Sequence, residues 1–388
     1  MKKIVIVVVL ILFLAGCWDR KELTEIGMVA ALAIDQNPKT GEYEVSSQFL
    51  RPAAESTQTP SPERPFLMVT TSGKTIFEAM RGTNKTTDRK GFFAHNKVII
   101  INERVAKEGL IPVLDALQRG KEIRGYVWLC IAKDVDASKI LEMKSDNIAR
   151  IPAKYINSLI DNAEQEAAKI NILTFQKKML ASGIDPVAGV FITEKTVTEP
   201  FERIKLIGGA VFQKDKLKGF LNDKETRGYH WVTEEKAAQL GAVSLPSLLE
   251  EGKFVTVEVR KVRSQIKPEV KGENQFSFTI EVKEDGRITD QQASEKFEDR
   301  KQQVDYFRKI EAENKKLIEE EIDLAVKKAQ QYKTDIFGFG QALNKENPEV
   351  WNKVKDNWEE IFADVSYEVN ANVDITSSVL LQGPLQPE

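Results

Sequence analysis

The N-terminal part of the chain alternates between short apolar runs and polar, turn-forming residues, a pattern that predicts β-strands. Residues 26–34 are almost entirely apolar and end at Asp35, and residues 43–50 form a second run behind the turn-forming residues 37–41. Residues 98–101 are a third run without polar interruption. We therefore predict a hairpin followed by a buried strand.

Helical periodicity occurs between and after these strands. Ser72 is a predicted helix cap ahead of an apolar face at residues 76–80, and Pro112 fits the first turn of a further helix. After an apolar strand at residues 126–132, a largely helical region is predicted from about residue 138 to 180. The N-terminal part thus alternates strands with helices.

The C-terminal part has longer strands and a long charged helix. Residues 210–221 predict a hairpin, and residues 255–259 and 276–282 alternate apolar with polar positions, as half-buried strands do. Residues 297–332 predict a charged helix with an apolar stripe that begins at Val304 and is interrupted at Asn314. We expect this helix to lie across a sheet and not to form a long coiled coil.

The end of the chain predicts one more helix and one more strand. Pro348 opens a helix that carries Trp351 and Trp358 on one apolar face, and residues 365–375 alternate strictly as a strand. The whole pattern predicts an α+β fold with antiparallel or mixed sheets, packed helices and one long charged helix.

These changes of pattern divide the chain into four predicted parts. They are a signal peptide at residues 1–16, an N-terminal α/β domain at 17–135, a mainly helical middle domain at 136–198 and a C-terminal α+β domain at 199–384. The alternative is that the middle part belongs to the N-terminal module.

The first residues have the layout of a secretory signal. Lys2 and Lys3 precede an apolar run at residues 4–15, which is too short for a membrane-spanning helix of roughly 20 residues. Leu14-Ala15-Gly16-Cys17 then matches a lipobox, in which the cysteine receives diacylglycerol and becomes the first mature residue. We predict that Cys17 is a lipid anchor. The alternative is an ordinary secretory signal with a chance cysteine.

The composition is that of an ordinary globular protein. Of 388 residues, 41% are hydrophobic and 30% are charged, which is enough apolar material for two or three domains. Once Lys2 and Lys3 are removed with the signal, 54 basic residues stand against 59 acidic ones. This mild acidity argues against a nucleic-acid-binding protein, which needs a basic surface.

Cysteine and histidine are scarce, which restricts the chemistry. Cys17 and Cys130 are the only cysteines, so a chain with a thioether at Cys17 cannot form an internal disulfide. Cys130 lies in an apolar strand, where a buried thiol is favoured over a nucleophile. His95 and His230 are the only histidines and have no partners at metal-ligand spacing, so we predict structural roles for them and no metal site.

Other motifs do not indicate an active site either. Gly338-Phe339-Gly340 lacks the third glycine and the lysine of nucleotide-binding loops, so we expect it to end the long helix. Acidic residues are plentiful, but no pair stands out as the acid and base of a hydrolase. Trp351 and Trp358 could form a sugar platform, yet their helical spacing beside apolar residues predicts a core. We predict neither catalytic residues nor a cofactor.

Five groups of residues occur in order along the chain. They are Gly16-Cys17-Trp18-Asp19 with Glu22; residues 91–97 around His95; residues 119–124; Gly208-Gly209-Ala210-Val211-Phe212 with Lys218-Gly219-Phe220-Leu221; and Asp335-Ile336-Phe337-Gly338-Phe339-Gly340 ahead of Trp351 and Trp358. In this order they resemble the Ger(x)C family, the lipoprotein C subunits of bacterial spore germinant receptors. The resemblance runs from residue 16 to about residue 380. Gly120 departs from it, because an acidic residue is expected after Arg119.

The resemblance implies an architecture and partners. It implies a three-domain mixed α/β body that is lipid-anchored, here through Cys17, and that associates with two integral-membrane subunits in the inner membrane of an endospore. Its location would be the outer face of the cell membrane. From the size of the body and its scarcity of cysteine and histidine we also expect a monomer that folds without metal or disulfide.

Three functional interpretations follow. The favoured one is a non-enzymatic receptor subunit that helps to assemble the receptor or to transmit the germinant signal. The alternative is a solute-binding lipoprotein that captures a small ligand for a membrane transporter, and an enzyme comes third, because it would need a polar cleft with convergent titratable groups. Two similar lobes around a cleft would favour the solute-binding protein, whereas the dissimilar halves predicted here favour the receptor subunit.

Overall fold

A computed structural model of the chain shows two β-sheets with helices packed on them. It describes residues 25–51, 64–120, 122–143, 150–163, 165, 167–195, 202–233, 241–272, 275–293 and 299–378. The first sheet has nine strands and the second has four. The predicted α+β fold with mixed sheets and packed helices is confirmed.

The first sheet has parallel strands at its centre and antiparallel strands on both sides. Its strands are β1 (Ile26–Gln36), β2 (Tyr43–Leu50), β3 (Phe66–Gly73), β4 (Lys90–Phe92), β5 (Val98–Asn102), β6 (Trp128–Ala132), β7 (Val187–Lys195), β8 (Glu202–Gln213) and β9 (Lys216–Leu221). Their order is β3-β2-β1-β5-β6-β7-β8-β9, with β4 beside the start of β1. Strands β1, β5, β6 and β7 run parallel, and the predicted hairpin of β1 and β2 is confirmed.

The central strands are continuously apolar because helices cover both faces of the sheet. In β5, Ile99 and Ile101 pack on one face, whereas Val98 and Ile100 pack on the other. The helices of the first face are α1 (Ile76–Gly82), α2 (Glu103–Glu108), α3 (Ile111–Arg119) and α6 (Ile172–Leu180). Those of the second face are α4 (Ala137–Glu142) and α5 (Pro152–Asn162).

The start of α1 differs from the sequence prediction. The Thr75 hydroxyl accepts a hydrogen bond of 3.1 Å from the backbone N–H of Glu78, so Thr75 is the cap. The prediction of Ser72 as the cap is wrong, because β3 continues to Gly73. Pro112 lies in the first turn of α3, as predicted.

The second sheet is smaller and has its own helices. Its strands are β10 (Ala242–Pro246), β11 (Phe254–Gly272), β12 (Gln275–Gln291) and β13 (Ser366–Ser378), in the order β10-β11-β12-β13. The first three are antiparallel, whereas β13 runs parallel to β12. The helices of this part are α7 (Asp223–Thr233), α8 (Arg300–Gln331), α9 (Phe339–Glu346), α10 (Pro348–Val354) and α11 (Trp358–Asp364).

The long charged helix α8 has 32 residues and packs against the second sheet. One stripe of its side chains is buried: Ile310, Ile318, Ile322, Ala325, Val326 and Ala329. The prediction that this helix lies across a sheet is confirmed. Val304 does not belong to the buried stripe, because 41% of its surface is exposed.

Helix α8 also satisfies backbone groups of β13, which is the edge strand next to it. The Glu319 carboxylate accepts a hydrogen bond of 3.0 Å from the N–H of Ala371, and the Glu311 carboxylate accepts one of 2.9 Å from the N–H of Ile375. An uncovered edge strand presents such groups to other chains and invites aggregation. The acidic residues of α8 therefore protect an edge as well as keep the helix soluble.

Strands β8 and β9 join the first sheet, although their residues fall in the predicted C-terminal domain at 199–384. The predicted hairpin at residues 210–221 is present, with its turn at Lys214 and Asp215. It pairs through β8 with β7, so the change from one sheet to the other comes after residue 221. Local alternation predicts a hairpin but does not specify which sheet it extends. The division into domains stays a proposal.

A polar pair is buried between α8 and the second sheet. Asn314 Nδ2 donates a hydrogen bond of 2.7 Å to Glu284 Oε2, while Glu284 Oε1 and Asn314 Oδ1 have no hydrogen-bond partner among the described residues. Burial raises the pKa of Glu284 to about 7. A protonated Glu284 can donate to Asn314 and so satisfy the remaining oxygens. The interruption of the apolar stripe at Asn314 thus provides a partner for a buried acid.

The Glu284→Gln variant should lose part of the pH dependence of stability. A glutamate carboxyl in water has a pKa of 4.5, whereas that of Glu284 has a pKa of about 7 in the folded protein, so ionisation destabilises the wild type as the pH rises through this window. The amide of the variant stays neutral, its oxygen can accept from Asn314 Nδ2 as Glu284 does, and its NH2 group supplies a donor for Asn314 Oδ1. Relative to wild type, the variant should gain about 3 kcal/mol in free energy of unfolding between pH 4.5 and about pH 8.

Urea unfolding of both proteins across this pH range measures the difference. The matched control is Glu281→Gln, an exposed glutamate on the same strand that pairs with Lys267. Its stability relative to wild type should change little over the same range, because exposed ion pairs contribute little. Parallel pH profiles for wild type and Glu284→Gln would show that Glu284 does not titrate in this way.

Candidate functional site

The candidate residues predicted from the sequence lie in different surroundings. Cys17 lies outside the described residues. His95 is exposed, with its ring centroid 5.7 Å from that of Phe92. No group of His, Cys, Asp or Glu that could hold a metal ion occurs among the described residues. Among the described residues, His95 and His230 therefore do not share a metal site.

Cys130 and His230 are both buried. Burial raises the pKa of the Cys130 thiol well above its usual range, which keeps it a neutral, unreactive thiol. Burial lowers the pKa of His230 to about 4. His230 Nε2 lies 3.2 Å from the carbonyl oxygen of Ala167 and carries the proton there, because a carbonyl only accepts. The predicted burial of Cys130 is confirmed.

Parallel strands of open α/β sheets usually bind ligands at their carboxyl ends. In the first sheet, structural hydrogen bonds occupy this position at the ends of β1 and β5. The Asp35 carboxylate at the end of β1 accepts from Asn102 Nδ2 at 3.0 Å and from the N–H groups of Ala137 and Ser138 at 2.7 and 2.9 Å. Burial raises the pKa of Asp35, and these hydrogen bonds oppose the shift. Asp35 thereby fixes the start of α4 to β1.

A cleft of about 140 Å³ brings two of the motif segments together. Lys90, Gly91 and Phe93 at the start of the first segment line it together with Gly120, Glu122 and Ile123 of the second. Helix α1 completes the wall with Phe77, Met80 and Arg81. The two segments are some thirty residues apart in sequence, so only the fold reveals that they share one cleft.

The cleft has an apolar floor and a charged rim. Phe93 and Leu117 of the floor are 7% and 2% exposed. Arg81, Lys90 and Glu122 line the cleft as charged side chains. This combination suits binding of an amphipathic group. Gly120 has an ordinary φ of −62°, so its conformation does not explain why glycine stands where an acidic residue is expected.

Asp335 organises the other prominent motif. Its carboxylate accepts hydrogen bonds from the N–H groups of Gly338, Phe339 and Gly340 at 2.7, 3.0 and 2.8 Å and from Trp358 Nε1 at 2.9 Å. Burial raises the pKa of Asp335, and the four hydrogen bonds oppose this shift. The carboxylate thus caps the start of α9. The expectation that Gly338 and Gly340 end the long helix is wrong, because α8 ends at Gln331 and these glycines begin α9.

The same motif contacts the turn that precedes β7. The N–H of Asp185 donates to the Asp335 carbonyl at 2.7 Å, and the N–H of Gln341 donates to the Gly183 carbonyl at 3.1 Å. A Cβ added at Gly340 would lie 2.6 Å from Gly183 Cα, so the two backbones touch and no larger residue fits. We call this contact between the first sheet and the second the Asp335 joint.

Aromatic side chains fill the space around the Asp335 joint. Trp351 and Trp358 are 3% and 4% exposed, and their rings meet edge to face with centroids 5.2 Å apart. Phe339 stacks on Phe278 of the second sheet, with centroids 4.6 Å apart. The prediction that both tryptophans belong to a core is confirmed, and neither is free to act as a sugar platform.

Helices α7 and α8 also contact each other, and the sequence patterns do not predict this contact. Arg227 Nε donates to Glu321 Oε2 at 2.7 Å, and Trp231 Nε1 donates to the same oxygen at 2.9 Å. Gly228 lies against the backbone of Glu321, so the two helices touch there. The spacing of Arg227 and Trp231, four residues apart, was the available signal, but it does not identify a partner ninety residues further along the chain.

Comparison with known proteins places this architecture among spore germination proteins. A family model described as "Spore germination protein N-terminal domain" matches residues 19–193, and one described as "Spore germination B3/GerAC like, C-terminal" matches residues 207–379. The chain is 28% identical to spore germination protein KC of Bacillus subtilis (strain 168), over 98% of this chain and 97% of the relative. It is 26% identical to spore germination protein B3 of the same organism, over 94% and 95%.

A solved structure has the same fold. The crystal structure of the GerBC protein aligns with a TM-score of 0.54 at 22% sequence identity, over 89% of this chain and 96% of that one. At this level of identity the likeness concerns the fold, which is the multidomain α+β body described above.

The Asp335→Asn variant should unfold more easily than wild type. An amide has one accepting oxygen where the carboxylate has two, and its NH2 group would face N–H donors. Leaving buried donors unsatisfied should cost about 2–5 kcal/mol in free energy of unfolding. Denaturant unfolding measures this loss. Asp356→Asn, an exposed aspartate between α10 and α11, is the control and should change stability by less than about 0.5 kcal/mol. Equal stability of both variants would contradict the role of Asp335.

Proposed function

Since this chain belongs to the Ger(x)C family of spore germination proteins, we propose that it is a non-enzymatic, lipid-anchored subunit of a spore germinant receptor. The observation that carries the proposal is the match of both family models, in order, over most of the chain. Its role would be to help assemble the receptor or to transmit the germinant signal. Its partners would be the integral-membrane subunits of the same receptor.

The use of buried titratable residues supports a role without chemistry of its own. Asp35 caps α4, Asp335 caps α9 and Glu284 pairs with Asn314. Groups with raised pKa values can be catalytic candidates, but structural networks shift pKa values as well. Here the partners of these three acids are backbone N–H groups and neighbouring side chains that hold the fold together.

The alternative, a solute-binding lipoprotein, has less support. Such a protein would present two similar lobes around a cleft. The two sheets described here differ in strand number and in topology. Moreover, Val187 of β7 and Leu221 of β9 share one hydrophobic core with Phe278 of β12 and Ile322 of α8. A shared core leaves the two parts less free to close on a ligand.

We propose Cys17 as the anchor because the lipobox places it directly after the apolar run. Among the described residues, no helix is long and apolar enough to cross a bilayer. Each buried CH2 of an acyl chain contributes about 0.8 kcal/mol, so two chains hold a protein on a membrane durably. The anchored protein would lie on the outer face of the cell membrane, which corresponds to the inner membrane of the spore.

Cys17→Ala should move the protein from the membrane to the aqueous phase. Without the thiol no diacylglycerol can be attached, and the acyl chains that supply the membrane affinity are absent. Detergent phase partitioning of cell extracts measures the shift, with Cys130→Ala as the matched control because it removes the other cysteine. Equal partitioning of wild type and Cys17→Ala into the detergent phase would exclude Cys17 as the anchor.

The receptor role can be tested in spores. We expect spores that carry only the Cys17→Ala variant to lose much of their germinant-triggered release of dipicolinate, because an unanchored subunit meets its membrane partners at lower effective concentration. Fold-preserving substitutions of His95, Cys130 or His230 should cause no all-or-none loss. Abolished release in one of these three, with normal co-purification of the membrane subunits, would favour catalysis or ligand capture instead.

A further inference from the structure

Basic side chains cluster where the described part of the chain begins. Residues 26–28 of β1 pair in parallel with β4, and the N–H of Lys90 donates to the Glu25 carbonyl at 3.1 Å. The Arg89 side chain lies beside Gly27, where an added Cβ would be 3.5 Å from Arg89 Cβ. The segment that leads back towards Cys17 therefore starts among these side chains.

Five exposed side chains form what we call the basic face: Phe77, Arg81, Lys85, Arg89 and Lys90. Within residues 77–90 these four cations accompany two acids, Glu78 and Asp88. Within the described ranges, none of the four cations forms an ion pair with an acidic side chain. Glu25 and Glu122 lie at the margins of the face. Residues 77–90 by themselves carry a net positive charge, although the chain as a whole is acidic.

An apolar group lies within the basic face. The Phe77 ring is 43% exposed, and the guanidinium carbon of Arg81 lies 4.5 Å from its centroid. Exposed aromatic rings beside cations occur where proteins rest on membrane surfaces, because the ring enters the headgroup region while the cations meet lipid phosphates.

The same end of the first sheet exposes a second aromatic and basic pair. Tyr126, just before β6, is 63% exposed, and Arg124 donates from its guanidinium to the Tyr126 hydroxyl at 2.6 Å. Lys97, just before β5, is exposed too. Because β1, β5 and β6 are parallel and adjacent, their starts lie at one end of the sheet. This end therefore combines cations with interfacial aromatics at more than one place.

We propose that the basic face binds an anionic lipid surface and so fixes how the body lies on the membrane. This inference rests on the proposed anchor at Cys17. Seven residues lie between Cys17 and Glu25, and the eight residue-to-residue steps of a fully extended chain span at most about 28 Å. The anchor therefore keeps the basic face near the bilayer, where even weak charge attraction is effective. An acidic protein would also complement these charges, but the anchor at Cys17 keeps the lipid surface close to the basic face at all times.

The test uses the full-length, lipidated protein in vesicles. An environment-sensitive fluorophore is attached at Thr86→Cys, which lies in the middle of residues 81–90 and is exposed. The thiol of Cys130 is buried and that of Cys17 would be alkylated, so labelling is specific. The control label is Lys316→Cys on the outer side of α8. Vesicles contain phosphatidylcholine alone or with about 30% phosphatidylglycerol, together with brominated lipid as a quencher.

With phosphatidylglycerol we expect a blue shift and quenching at position 86 and neither at position 316. A salt concentration of about 0.5 M should reverse the quenching without releasing the protein, because salt screens the charges but not the acyl chains. Each cation near an anionic surface raises the binding constant for that surface about fivefold. Combining Arg81→Gln, Arg89→Gln and Lys90→Gln should therefore lower the binding constant of the basic face about a hundredfold.

The outcomes separate this inference from the proposed function. Protein that fails to float with any vesicle would overturn the anchor at Cys17 and the inference with it. Protein that floats but shows no quenching at position 86, or equal quenching with and without phosphatidylglycerol, would overturn the inference alone. A blue shift at position 86 in native membranes but not in anionic vesicles would overturn the inference and indicate an acidic protein partner instead of the lipid surface.

Discussion

The buried carboxylate of Asp335 is the constraint on which the contact between the two sheets depends. A carboxylate removed from water needs donors for both oxygens, because an unpaired buried charge is strongly unfavourable. Here the donors come from the start of α9 and from Trp358 of α11. The carbonyl of Asp335 in turn accepts from Asp185, ahead of β7. One residue therefore fixes two helices of the second part and a turn of the first.

The packing around this joint extends the constraint through the molecule. Gly183 and Gly340 allow the two backbones to touch, and Trp351 closes over them. The pairing of Glu321 with Arg227 and Trp231 holds α7 to α8 on another side of the interface. The resulting core includes residues of both sheets. A body with one shared core is suited to act through its surface contacts, which agrees with the proposed role as a receptor subunit.

In this protein the buried acids stabilise the fold, whereas the features suited to binding lie on the surface. Asp35 and Asp335 hold helix starts and Glu284 holds a strand–helix contact, so these three acids contribute to stability. Two surface features are suited to binding: the cleft beside α1 and the basic face, which share Phe77, Arg81 and Lys90. Both lie at the end of the first sheet where β1 starts, which is also where the proposed lipid anchor would hold the body.

Local sequence patterns were enough to predict most strands and helices, and the lipobox predicts an anchor at Cys17. Two apolar runs around a turn predict the hairpin at residues 26–50, and strict alternation predicts a strand at residues 365–375. The helical spacing of apolar residues predicts α8, because such patterns record which side of an element is buried. The three-dimensional structure was needed to show that residues 202–221 extend the first sheet and that Asp335 joins the two parts. It also shows that Lys90, Gly91 and Phe93 share a cleft with Gly120, Glu122 and Ile123. Such pairings depend on residues far apart in the chain, and local periodicity records that a face is buried without recording what buries it.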